Sequence, residues 1–168
     1  MLCFWNVTTA EAGNTSPSVV AGVDLQVAEQ TKVLGVVLDQ RLTFEKHTTA
    51  VAKSCNYYAQ AIRHIRHLLT LDLAQTLACS LILSRIDCCN ALLHGAPAAT
   101  IHKLQRVQNN AARIVVQAPK RSEAKPLLRR LHWLPVEQRI TYKTAVLTHA
   151  QDPEHRNASL PQSSHTVT

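Results

Sequence analysis

The stretch TFEKHTTAVAKSCNYYAQAIRHIRHLL, residues 43–69, is where strand-like patterning gives way to helical patterning. Its apolar residues recur at steps of three and four, which predicts a helix with one apolar face. They are Val51, Cys55, Tyr58, Ile62, Ile65 and Leu69. Thr43 stands where its hydroxyl can accept a hydrogen bond from the first turn, so we expect it to cap this helix.

Four more helices are predicted downstream. The second begins near Thr70 and ends at Gly95-Ala96-Pro97, a helix-ending signal. Because it is apolar almost all round, we expect it to be the buried central helix. The third covers residues 98–117, the fourth is EAKPLLRRLHW (123–133) and the fifth is VEQRITYKTAVLTHA (136–150).

Two β-rich runs precede the helices, SVVAGVDLQV (18–27) and TKVLGVVLD (31–39), with turn-tolerant residues between them. We expect these runs to pair as one β-hairpin. Residues 1–17 show no regular pattern, and the polar tail 151–168 has the composition of a disordered segment. The predicted fold is mainly α, with a short N-terminal β-hairpin in 18–40 and a bundle of about five helices in 41–150.

The stretch LRRLHWLPVEQRI, residues 128–140, is typical of a corner between two helices. Leu131, Trp133 and Leu134 are the apolar positions that we expect to pack inward. Pro135 lies at the start of the fifth helix, where a missing backbone N–H costs little. We therefore predict a structural corner at Trp133 and Pro135, with Arg129, Arg130 and His132 facing away from the core.

Positive charge is concentrated in the second half of the chain. The net charge is +7 over 168 residues, and residues 103–143 contain ten lysines and arginines against two glutamates. Such a concentration favours a polyanionic partner, a nucleic acid or an anionic membrane surface, although a solvated helical surface has the same composition. The candidate contacts are Arg63, Arg66, Lys103, Arg106, Arg113, Arg129 and Arg130.

Motifs for enzyme chemistry are absent from the sequence. GxSxG, GxxxxGKS/T and GxGxxG do not occur. No two acidic residues are adjacent, whereas two-metal phosphoryl chemistry requires carboxylates gathered around the ions. The sequence therefore predicts no catalytic residue.

Cysteine and histidine spacing does not predict a metal site. No CxxC occurs, and arginines that disfavour a cation flank His64 and His67. Cys88 and Cys89 would point about 100° apart on a helix, too far to hold one ion. Five cysteines, an odd number, favour reduced thiols inside a cell. With no secretion signal or long apolar span, we expect a nuclear or cytoplasmic protein without membrane contact.

Five stretches, in this order and spacing, carry a family resemblance. They are VLGVVLDQRLTFEKH, AVAKSCNYYAQAIRHIRHLL, LILSRIDCCNALLHGAP, IHKLQRVQNNAARIV and PLLRRLHWLPVEQRITYKTAVLTHA. Together they resemble the C-terminal part of the reverse transcriptase of non-LTR (LINE-type) retrotransposons, in the jockey-like and chicken-repeat-like groups. The resemblance covers residues 18–150. Where the family commonly has Asp-Tyr-Cys, this chain has Asp87-Cys88-Cys89, and the tail after Ala150 is unrelated.

The resemblance implies which parts of a polymerase this chain corresponds to. The family's palm domain carries catalytic aspartates in a Y-x-D-D motif that this sequence lacks. The hairpin ending in VLGV resembles the family's primer grip, with Leu34 and Gly35 at the matching positions. The helices would then be the thumb and its extension, which hold the primer–template duplex, and the missing palm would be a partner.

The function implied is a fragment of an RNA-directed DNA polymerase that binds RNA or an RNA–DNA hybrid without catalysis of its own. No cofactor is expected in this chain, whereas the intact family polymerase would use Mg²⁺. Two alternatives remain open: a non-catalytic helical interaction module, and a non-functional remnant of a decayed element. The sequence leaves the oligomeric state undetermined.

Overall fold

The computed structural model describes residues 18–20, 23–25 and 30–150, and the predictions for residues 1–17 and 151–168 lie outside these ranges. The strands are β1 (Ser18–Val20), β2 (Val23–Leu25), β3 (Gln30–Val33) and β4 (Val36–Asp39). The helices are α1 (Glu45–Ile65), α2 (Leu71–Ala78, continued by Cys79–Leu83 and Ser84–Asp87), α3 (Ala98–Val116), α4 (Ala124–Arg130) and α5 (Val136–Ala150), with 3₁₀ turns at Arg66–Leu68 and Asn90–Leu93. The predicted fold class, helices preceded by a β-hairpin, is confirmed.

Each β-rich run turns back on itself, so the predicted pairing of the two runs with each other was wrong. β1 pairs with β2 and β3 with β4, both antiparallel. In the second run the chain reverses at Leu34 and Gly35, whose φ angles are 48° and 87°. Two successive positive φ angles suit a two-residue hairpin turn, and the glycine inside a valine-rich run was the sequence signal for it.

The junction between β4 and α1 is organised by Asp39. Its carboxylate accepts the backbone N–H groups of Arg41, Thr43 and Phe44 at 3.0–3.1 Å and the Thr43 hydroxyl at 2.9 Å. α1 begins at Glu45, one residue later than a Thr43 cap would place it, and Phe44 precedes it in the left-handed conformation. The Thr43 hydroxyl also accepts the Glu45 N–H at 3.4 Å, so it caps the first turn of α1 as predicted, although Phe44 and not Thr43 directly precedes the helix.

α1 buries mostly small residues on its inner face. They are Thr48, Ala52, Cys55, Ala59 and Ile62. This face shares Cys55 and Ile62 with the predicted apolar stripe, but Ile65 is 43% exposed, so its predicted inward position was wrong. Small side chains let α1 approach its neighbours closely.

α2 begins as predicted and ends earlier than predicted. The Thr70 hydroxyl accepts a hydrogen bond from the Leu73 N–H at 3.3 Å. The middle of α2 has π-helical geometry, and the Cys55 thiol donates to the Ile82 carbonyl at 3.7 Å. The helix ends at Asp87 because Cys88 is extended, with ψ of 115°, and Cys89 is left-handed, with φ of 57°, so the predicted end at Gly95-Ala96-Pro97 was wrong.

The central helix is α3, which corrects the expectation that α2 would be central. α3 packs against each of the other four helices. Its buried residues are Thr100, Leu104, Val107, Gln108, Ala111, Ala112, Ile114 and Val115. α2, by contrast, leaves Leu71 and Leu73 37% and 49% exposed. The apolar composition of α2 predicted that α2 would be central, whereas α3 is central because it packs against all four other helices.

α4 ends in a Schellman motif without glycine. The His132 N–H donates to the Arg129 carbonyl at 3.1 Å, and the Trp133 N–H donates to the Leu128 carbonyl at 2.9 Å. His132 has the left-handed φ of 56° that this motif requires. Trp133 and Leu128 are both buried, which supplies the apolar contact that accompanies the motif.

Two glutamines of α3 hold the corner that leads into α5. Gln108 Nε2 donates to the Leu134 carbonyl, and Gln105 Oε1 accepts the Val136 N–H, both at 2.8 Å. Pro135 lies between them, immediately before α5. Leu134 is 47% exposed because its carbonyl, not its side chain, faces α3, so its predicted burial was wrong.

Candidate nucleic-acid interface

α1 and α3 lie side by side and run in the same direction. Near the start of both, Lys103 Nζ donates to Thr49 Oγ1 at 2.8 Å, and towards their ends Arg63 Nη2 donates to Asn110 Oδ1 at 3.2 Å. The α3 residues beside this contact recur at steps of three and four, so they share one helix edge. They are Lys103, Arg106, Asn110, Arg113 and Gln117. This edge is about 21 Å long at the rise of an α-helix.

The contact opens into a cleft of about 660 Å³ near the C-terminal ends of both helices. We call it the α1–α3 cleft. Its lining contains Arg63, Arg66, Arg113 and Lys120 together with His67, and it contains no aspartate or glutamate. Four cations without a carboxylate, set in a concave surface, create a focused positive potential that attracts anions.

Arg66 contributes charge to the cleft while its donors stabilise the fold. Nε and Nη2 donate to the Val115 carbonyl at 2.9 and 2.7 Å, and Nη1 donates to the Leu69 carbonyl at 2.7 Å. Val115 lies in the last turn of α3, where carbonyls have no intrahelical partner. Arg66 thus joins α1 to α3.

Arg63, Arg113 and Lys120 keep donors for a ligand. Arg113 Nε donates to the Ser122 carbonyl at 2.9 Å and so fixes the loop that carries Lys120. Within the described ranges, the terminal nitrogens of Arg113 make no hydrogen bond, and Arg63 uses only Nη2. Lys120 is exposed. A phosphate in the cleft could therefore accept hydrogen bonds from three side chains.

Lys103 and Arg106 extend the positive edge away from the cleft. Lys103 also approaches Glu45, with Nζ 3.7 Å from Oε1, which partly offsets its charge. Arg106 is exposed and hydrogen-bonds no side chain that the structure describes. The edge is therefore weakest at its start and strongest at the cleft.

Arg129 and Arg130 lie apart from this group. Both are exposed on α4, and neither lines the α1–α3 cleft. The structure thus brings three of the seven candidate arginines and lysines together in the cleft, aligns two more along α3, and leaves these two on another helix.

Carboxylates are engaged elsewhere. Asp87 accepts Arg139 Nε at 2.7 Å and also pairs with Arg139 Nη2. In the part of the chain that the structure describes, no three side chains of histidine, cysteine, aspartate or glutamate are grouped to hold a metal ion. In that same part, no helix is both long and apolar enough to cross a membrane.

Comparison with known proteins shows what the chain is similar to, which the geometry of the site does not. No protein-family model matches the chain. The chain is 30% identical over 138 residues, 78% of its length, to the probable RNA-directed DNA polymerase from transposon BS of Drosophila melanogaster. The chain is related to a transposon reverse transcriptase. This reverse-transcriptase-related chain spans 15% of the length of that polymerase, and no solved structure matches it.

The reverse-transcriptase-related chain presents Leu34 and Gly35 at the tip of the β3–β4 hairpin. Leu34 is 96% exposed, and nothing lies within 4 Å of a Cβ placed on Gly35. The hairpin is held to α1 through Asp39, so its tip projects from the helices on a defined base. The primer-grip interpretation of these two residues stays a prediction.

Sequence reasoning missed His67, Asn110 and Lys120 as members of the cleft. From the sequence, His67 was considered only as a metal ligand, and Asn110 and Lys120 were not singled out. His67 and Lys120 lie near or just beyond the end of a predicted helix, and Asn110 lies inside one. The missing information was that α1 and α3 are parallel neighbours, which local spacing does not specify.

Proposed function

We propose that this chain binds RNA or an RNA–DNA hybrid through the α1–α3 cleft and the edge of α3. The observation that carries the proposal is the concave cluster of Arg63, Arg66, Arg113 and Lys120 without any carboxylate. Similarity to an RNA-directed DNA polymerase favours RNA or a hybrid over other polyanions.

The contacts would go to phosphates and carry little sequence information. A basic edge of about 21 Å matches about six phosphates of one strand at a spacing of roughly 3.4 Å along a duplex axis. Among the residues that the structure describes, the cleft lining includes no tryptophan, tyrosine or phenylalanine, and His67 is its one aromatic ring on which a base could stack. We therefore expect binding that depends on salt and varies little with sequence.

We further propose that the chain derives from the post-palm, thumb-side part of a non-LTR (LINE-type) retrotransposon polymerase. The motifs VLGV and LHWLP, in this order, support this origin. A chain of this kind would lack polymerase activity by itself, because the sequence has no Y-x-D-D motif for the Mg²⁺ that the intact enzyme uses. The missing palm would then be its partner, inside the nucleus or cytoplasm.

The test compares two charge-reversal variants that change the net charge equally. The cleft variant Arg63→Glu/Lys120→Glu leaves the structural hydrogen bonds of Arg66 and Arg113 in place. The control Arg129→Glu/Arg130→Glu changes exposed residues of α4. Fluorescence anisotropy with a labelled RNA–DNA hybrid would measure the dissociation constant of each, and thermal melts would check folding.

We expect the cleft variant to bind about tenfold more weakly or worse, and the control to lose clearly less affinity. Equal loss in both variants would mean that only net charge matters, which contradicts a located site. No binding by the wild-type protein would favour the alternative of a helical interaction module.

A further inference from the structure

Cys88 and Cys89 form a pair of neighbouring thiols at the end of α2. Their Sγ atoms are 3.9 Å apart, Cys88 is exposed and Cys89 is half-buried. Adjacent side chains on a regular helix point about 100° apart, but these two cysteines do not lie in a regular helix. Cys88 is the residue after α2, with φ of −64° and ψ of 115°, and Cys89 is left-handed, with φ of 57°.

This conformation corrects the expectation that adjacent cysteines would point about 100° apart. The chain leaves the helix between them, and the backbone turn brings both sulfurs to one side. A disulfide needs the sulfurs at roughly 2 Å, and adjacent Cα atoms lie about 3.8 Å apart, closer than in most disulfides, so the bond would form with strain and be easily reduced.

Two other cysteines that the structure describes lie in different surroundings. Cys55 is fully buried, and burial raises the pKa of its thiol to about 11. Burial also raises the pKa of Cys79. Since the thiolate is the reactive form, both should react slowly, which leaves Cys88 and Cys89 as the accessible pair.

We propose that Cys88 and Cys89 form a redox-active vicinal dithiol whose substrate is a low-molecular-weight disulfide such as oxidised glutathione. The Cys88 thiolate attacks one sulfur of the glutathione disulfide and releases the first glutathione thiolate. The Cys89 thiolate then attacks the Cys88 sulfur of the mixed disulfide and releases the second. The protein loses two protons and two electrons, and one glutathione disulfide becomes two glutathione molecules.

The pair lies next to the residues that attach α5. The Asp87 carboxylate binds Arg139, and the Asp87 carbonyl accepts Lys143 Nζ at 2.8 Å. α5 also packs against the turn Asn90–Leu93 that follows the cysteines. Closing the disulfide would restrain the backbone between these two attachments.

The test is mass spectrometry of the full chain after incubation with oxidised glutathione. Cys3 is replaced by serine in every sample so that the thiols under test are those of the described fold. We expect the peptide containing Cys88 and Cys89 to lose two hydrogens without retaining glutathione, and dithiothreitol to reverse the change. Cys89→Ser should instead accumulate a glutathione adduct on Cys88.

A urea-unfolded sample separates the effect of the fold from that of sequence adjacency. If the fold holds the two thiols close together, the Cys88–Cys89 disulfide should form at least about tenfold faster in the folded chain than in the unfolded chain. A stable adduct on Cys88 when Cys89 is present, bonding to Cys55 or Cys79, or equal rates in the folded and unfolded chains would each overturn the proposal. This experiment contains no nucleic acid, so its outcome is independent of the proposed function.

Discussion

The Asp39 carboxylate accepts four hydrogen bonds from the three residues Arg41, Thr43 and Phe44. The Thr43 backbone N–H is the main cause that holds the pKa of Asp39 below its ordinary value of 3.8, and the remaining donors outweigh partial burial. These bonds are strongest when the carboxylate is ionised. They therefore stabilise the fold at neutral pH and weaken in acid.

The first prediction is a pH-dependent effect of Asp39→Asn. An acid whose pKa is lowered on folding adds stability above its unfolded pKa and loses it as pH falls through the folded pKa. Wild-type protein should therefore melt at a higher temperature than the variant at about pH 5–7. This difference in melting temperature should shrink below about pH 4. Thermal melts from pH 3 to 7 measure it, and a constant difference would contradict the ionised-carboxylate explanation.

Gln108 is a fully buried amide at the centre of the fold. Its Nε2 donates to the Leu134 carbonyl at 2.8 Å, and its Oε1 accepts Gln105 Nε2 at 2.9 Å. Removing the amide would leave its buried partners without a hydrogen bond. The loss in folding free energy from such unsatisfied groups exceeds the net stabilisation that the hydrogen bond provides.

The second prediction is that Gln108→Ala lowers the free energy of unfolding by about 1–3 kcal/mol. Urea denaturation measures the change. The matched control is Gln138→Ala on the exposed side of α5, which we expect to stay within about 0.5 kcal/mol of wild type. Equal effects of the two substitutions would rule out a special role for the buried amide.

At the scale of elements, α5 depends on few attachments. Only Val136 and Ile140 of this helix are buried, and its C-terminal half is exposed. Arg139 and Lys143 add polar contacts by binding the carboxylate and carbonyl of Asp87. The Asp87 carboxylate also raises the pKa of Arg139 through their hydrogen bond.

The third prediction concerns this attachment. Arg139→Ala should lower the free energy of unfolding by about 1–3 kcal/mol, because a half-buried charged hydrogen-bonded pair is lost. Hydrogen exchange should speed up mainly in α5. The control is Arg130→Ala, which removes an exposed arginine of α4 and should change neither quantity clearly. If hydrogen exchange in α5 were unchanged in the Arg139→Ala variant, apolar packing alone would hold the helix.

Helix starts were predicted better than helix ends. Thr70 signals the start of α2 by a local hydroxyl bond that needs no tertiary partner. The ends of α2, α3 and α4 are followed by Cys89, Gln117 and His132 in left-handed conformations, which are typical of glycine or asparagine. Because none of these residues is a glycine, spacing rules placed the ends of α2 and α4 too late.

At the scale of the whole molecule, the fold class followed from local pattern, whereas the arrangement of helices did not. α3 reads as an amphipathic surface helix because Thr100, Gln105 and Gln108 interrupt its apolar face. Gln105 and Gln108 bind backbone groups 31 and 26 residues away in sequence, so their positions depend on tertiary packing. For the same reason, the sequence picked out individual basic residues but did not predict which of them line one cleft.

The proposed binding of phosphates in the cleft predicts a dependence of affinity on salt concentration. Phosphate contacts release counterions, so the logarithm of the binding constant falls linearly with the logarithm of salt concentration, by about 0.9 for each contact on a duplex. Cleft residues that contact phosphates contribute to this slope, and distant basic residues do not.

The measurement that most directly tests binding through the α1–α3 cleft is the salt dependence of affinity for an RNA–DNA hybrid. Three proteins are compared: wild type, Arg63→Glu/Lys120→Glu, and Arg129→Glu/Arg130→Glu. We expect a steep slope for the wild type, a slope smaller by about two contacts for the cleft variant, and an unchanged slope for the α4 variant. A wild-type affinity that hardly changes with salt, or the same slope in all three proteins, would contradict binding through the α1–α3 cleft.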